Sequence, residues 1–141
     1  IWRAGHGNLK PGALSHGEQV HHPVLMDELL IAEPFVYRMS DGTRVNPDGS
    51  KQGWNIQRPG HSCGTMSGAN GCLFFRAGNP TVLDLTTSAP NQRFTKLAPS
   101  RAGCWINIIP ACGLVLIPEA SASCVCHYAL QTSMAFRSRS R

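Results

Sequence analysis

The sequence predicts an all-β chain. Two observations lead there. Its apolar runs are four to six residues long and stop at Gly, Pro, Asn or Asp, the length and punctuation of strands. No stretch carries a helical repeat over twelve residues; MDELLIAEP around Leu29 comes closest, and Pro34 cuts it short. The chain also repeats itself. Three copies read HHPVLMDELLIAEPFVYRMSDGTRV from His21, HSCGTMSGANGCLFFRAGNPTVLDL from His61, and GCWINIIPACGLVLIPEASASCVCHYAL from Gly103.

Each copy has the same order. An outer segment comes first: HHPVLM, CGTMSG or CWINII. A turn-like linker follows: DE, ANG or PACG. Then comes a compact apolar strand, LLIA, LFFR or LVLI. A second strand follows, FVYR, TVLDL or VCHYAL, with Asp41-Gly42 after the first of these as a hairpin turn signal. A last segment, GWNIQ, RFTKL or TSMAF, closes each unit. The central strands start at Leu29, Leu73 and Leu114, steps of 44 and 41 residues.

Four-strand units at this spacing match β-propeller blades. The expected layout is an N-terminal segment or end of a preceding blade over 1–20. Blades follow at about 21–60, 61–102 and 103–136, and a basic tail at 137–141. A propeller closes with roughly 4–8 blades, and a run of about three leaves apolar faces open at its ends. The chain is therefore expected to be part of a larger closed propeller, with the remaining blades from the same precursor or another subunit. It begins at Ile1 and is read as a piece of something longer.

Totals narrow the partners. The chain has 141 residues and a net charge of +5, with three arginines in the terminal RSRSR. That tail is short and lacks aromatics, so no nucleic-acid partner is expected. No apolar run reaches the ~18 residues of a membrane span. Six cysteines among 14 Gly and 10 Pro favour an oxidising compartment and up to three disulfides.

Cys124-Val125-Cys126-His127 is one residue short of Cys-x-x-Cys-His. In a strand its histidine faces away from both thiols, which argues against haem. No pair of Cys-x-x-Cys knuckles supports a zinc site, so no metal is assigned. The disulfide candidates are Cys63, Cys72, Cys104, Cys112, Cys124 and Cys126. Bridges from Cys104 or Cys112 to Cys124 or Cys126 would tie strands of the last unit, and one from Cys63 would tie two blades. His21, His22 and His61 open corresponding units. They either satisfy backbone groups or line a channel mouth, joined by Trp105 and Asn107 as candidate ligand-binding residues. Trp54 and Trp105 are expected to pack in the core between blades. No catalytic set is found.

The phrases HSCGTMSGANGCLFFRAGN, GCWINIIPACGLVLIPEASASCVC and TSMAF resemble the C-terminal region of bacterial PQQ-binding-like β-propeller repeat proteins. The resemblance spans about His21 to Phe136. It implies a periplasmic or extracellular propeller of the quinoprotein-dehydrogenase type, eight-bladed or similar. In the related enzymes PQQ and calcium are held by residues from several blades, often beside two adjacent cysteines. This sequence has no Cys-Cys pair, and the family's calcium ligands and Asp base have no matching positions. The expected function is a non-catalytic structural or interaction segment completing such a propeller. The alternative is part of a PQQ- and calcium-dependent alcohol or sugar oxidoreductase with its catalytic residues on other blades.

Overall fold

The computed structural model describes residues 22–32, 35–46, 63–87, 94–97, 100–105, 108–119, 130 and 132–139. Among them there is no helix. Ten strands form three antiparallel sheets of three or four strands. The chain divides into two compact units, Ile1–Gln57 and Arg58–Arg141.

The first unit holds β1 (Val24–Met26), β2 (Leu29–Ala32) and β3 (Phe35–Arg38), paired in that order. Register places Val24, Ile31 and Val36 side by side on one face, and all three are buried. Leu25, Leu30 and Tyr37 share the other face. The turn after β3 forms at Asp41-Gly42, as its sequence predicts. Gly42 has φ 72° and its N–H donates to the Arg38 carbonyl at 2.8 Å. The Asp41 carboxylate accepts from the Thr43 N–H and from Arg38, each at 2.9 Å. Arg44 then bridges back to Tyr37 and lies 3.6 Å over the Phe35 ring, a cation–π contact. The position beside β3 is thus taken by Arg44 and the buried Val45. The GWNIQ segment expected there lies outside the described residues.

The second unit holds two sheets. The larger is β4 (Ser67–Ala69), β5 (Cys72–Ala77), β6 (Asn79–Asp84) and β7 (Phe94–Lys96). β5 reads CLFFRA and is buried on both faces from Leu73 to Ala77, so its apolar run is continuous rather than alternating. The smaller sheet has β9 (Leu114–Ile117) between β8 (Ile109–Ala111) and β10 (Met134–Arg137). TSMAF was expected one strand further out, beyond VCHYAL. Instead it supplies β10 and pairs with the central strand directly, while all of VCHYAL but Leu130 lies outside the described residues.

The three sheets share one hairpin. Met26, Ala69 and Ala111 each pair across a two-residue turn with Leu29, Cys72 and Leu114. The turn residues are Asp27-Glu28, Asn70-Gly71 and Cys112-Gly113. The last two turns have positive φ at both positions, the type I′ arrangement that suits the strand twist. From Leu29 to Cys72 is 43 residues and from Cys72 to Leu114 is 42.

The sheets of the second unit pack face to face. Phe74, Ala102, Ile108 and Ile117 form the buried centre, with Val82, Val115, Met134 and Phe136 against it. Ser67 Oγ donates to the Ile108 carbonyl at 2.8 Å, tying β4 to the start of β8.

Candidate functional site

Of the expected ligand residues, His22 and Trp105 fall within the described residues; His21, His61 and Asn107 lie outside them. His22 is exposed just before β1. Trp105 is 70 % exposed, which corrects its expected core packing. The smaller Ala102 and Ile108 on either side fill the space between the sheets instead, leaving the indole no buried slot. Trp54 lies outside the described residues.

Among the described residues no two of Cys63, Cys72, Cys104 and Cys112 are bridged to each other, and the partners expected for Cys104 and Cys112 are not among them. Cys124 and Cys126 lie outside the described residues. Cys112 is exposed in its turn with φ 51°. Cys72 opens β5 opposite Asp84. Burial, and secondarily the Asp84 charge, pushes its thiol above the ordinary range, which suppresses the reactive thiolate. Asp84 in turn stays ionised to lower pH than usual, because Thr86 and Thr87 donate to it from side chain and backbone. Iodoacetamide applied to the folded chain at neutral pH is expected to alkylate Cys112 before Cys72, read by peptide mass mapping. Equal rates would mean that β5 is not covered.

Sequence reasoning passed over Arg76. It ends the LFFR run, yet its side chain is fully buried. Its Nη1 donates to Cys104 Sγ at 3.3 Å, fastening the 100–105 segment to β5 and engaging one donor of a cation removed from water. An Arg inside a continuous apolar strand was the available signal. Among the described residues no cluster of three or more His, Cys, Asp or Glu could hold a metal ion, and no helix is long and apolar enough to cross a membrane.

The feature with the clearest capacity for recognition is the outward face of the β8–β9–β10 sheet. Register sets Ile109, Leu116 and Ala135 in one row and Ala111, Leu114 and Arg137 in the next, all on one face. The opposite face, with Val115 and Ile117, packs on the larger sheet. The outward face is open: Ile109 is 40 % exposed and Leu114 38 %. Leu114 corresponds to Cys72, whose own face is the one the third sheet covers. The same surface is therefore buried in one repeat and bare in the next.

Neither the protein-family models nor the curated proteins nor the solved structures provide a match to this chain.

Proposed function

We propose that this chain is a non-catalytic structural and interaction module. In this reading it is about three blades of a PQQ-like β-propeller outside the cytoplasm, and it completes a larger ring that binds a partner or ligand. The observation that carries the reading is the bare outward face of β8–β9–β10 beside its buried counterpart on the larger sheet. The recurring hairpin at steps of 43 and 42 residues supports it, because blades of a propeller recur at that period. The extracytoplasmic setting rests on the resemblance and on the six cysteines.

Fully covering an apolar side chain of this size is worth about 1.5–3 kcal/mol. Ile109 and Leu114 are partly covered already, so a further sheet would gain a fraction of that from each. The chain diluted to a monomer is expected to raise the fluorescence of the dye ANS, which reports accessible apolar surface. A monomer that gives no rise and melts cooperatively would instead be a self-contained β-domain.

A further inference from the structure

We infer that the outward face of the third sheet docks the Leu25 face of the first sheet in a second copy of this chain, so that two copies associate head to tail. The inference rests on the repeat reading above and names the partner of that bare face.

The pairing rule is visible inside the second unit. There the Cys72–Phe74 side of one sheet meets the Val115–Ile117 side of the next. The hairpin register carries that rule to the other sheets. Leu114 of the third sheet stands where Cys72 stands in the second, so its face is of the kind that receives a following sheet. Leu25 and Leu30 of the first sheet stand where Pro110 and Val115 stand in the third, so their face is of the kind that lands on a preceding one. Leu25 is 64 % exposed. Joining the two repeats a contact the chain already makes, now between copies.

Charge favours the same match. Arg137 lies beside Leu114 at the turn end of the third sheet and is exposed. At the turn end of the first sheet stand the exposed Asp27 and Glu28. A stack with the turns aligned puts that cation and those two anions at the same end of the interface. The interface is heterologous, since the two surfaces differ, and such contacts close into rings or run on as filaments.

Sedimentation of the full chain over a concentration series tests this. A dimer is expected, with ANS fluorescence falling as it forms. Leu25→Arg and Leu114→Arg should each weaken association by at least about tenfold, the equivalent of ~1.4 kcal/mol. Mixing the two variants should restore a heterodimer, because one intact Leu114 face then meets one intact Leu25 face. Both side chains are exposed, so far-UV circular dichroism should be unchanged. Arg137→Glu gives a second check: association should weaken, and Glu28→Arg on the partner copy should recover it. Dimerisation lost with Leu114→Arg alone would mean that two third sheets meet face to face, which overturns the inference. A monomer that binds ANS at every concentration also overturns it while leaving the repeat reading intact. A monomer without ANS binding overturns both.

Discussion

Replacing Phe74 by alanine is expected to destabilise the 58–141 unit by about 3–5 kcal/mol, the usual loss for a large core aromatic. Phe74 sits at the centre of the apolar contact that joins the two sheets of that unit. It is buried with Ala102, Ile108 and Ile117, and Val82, Val115, Met134 and Phe136 close around them. Removing the ring discards its burial and also leaves a cavity. The wall of that cavity is two sheets held by their own ladders and by the Ser67–Ile108 bond, so it collapses poorly. Against a whole-domain stability of about 5–15 kcal/mol, this loss is a large share. Urea unfolding reads it as a lower midpoint at unchanged slope. Should the variant fail to fold, Ile117→Val, expected to cost about 0.5–1.5 kcal/mol, grades the same contact more gently. Phe94→Ala is the control. Phe94 is largely exposed and meets Phe75 edge-on, with ring centres 5.9 Å apart, and it takes no part in the Phe74 cluster. A Phe74 loss no greater than the Phe94 loss would mean that the two sheets do not pack on each other.

Gly71→Ala should cost about 2–4 kcal/mol, combining a left-handed backbone with overpacking. Gly71 has φ 71°, and an added Cβ would stand 2.6 Å from Thr86 Cγ2. Thr86 cannot easily swing aside: its N–H and hydroxyl donate to Asp84 Oδ1 at 2.8 and 2.6 Å. The backbone is also held, because the Leu85 N–H donates to the Gly71 carbonyl at 2.8 Å. Gly113 occupies the same place in the third sheet with φ 74°, yet an added Cβ there would meet nothing within 4 Å. Gly113→Ala should therefore cost only the backbone share, about 1–2 kcal/mol. Comparing the two variants by urea unfolding isolates the Thr86 contact. Equal losses would show that the methyl yields.

The hairpins were legible because their chemistry is local. Asn70-Gly71 and Asp41-Gly42 announce turns, and the apolar strings on either side announce strands. The central strand of the second sheet begins at Cys72, one residue before the expected Leu73, because a thiol was not counted as part of the apolar run. RFTKL supplied β7 as expected. TSMAF did not keep its place, since strand order depends on contacts between distant segments, which no local pattern records. Trp105 was misjudged for a related reason. A large aromatic suits a core, but the gap between these sheets is filled by Ala102 and Ile108. Cysteine number signalled disulfides; no two of Cys63, Cys72, Cys104 and Cys112 are bridged to each other, while Cys124 and Cys126 lie outside the described residues. The bare face of β8–β9–β10 was legible only in outline. The expected run of three blades implied open flanks, but identifying Ile109 and Leu114 as an open pair required the register of β9 with both neighbours.

The central claim is that this outward face is an apolar surface awaiting another sheet. It is tested most directly by ANS fluorescence of the diluted, monomeric chain beside a variant carrying Ile109→Thr, Leu114→Thr and Leu116→Thr. The account predicts a clear rise with the natural sequence and a marked drop in the variant, at unchanged far-UV circular dichroism. No rise with the natural sequence, or a rise that the three substitutions leave intact, would contradict it.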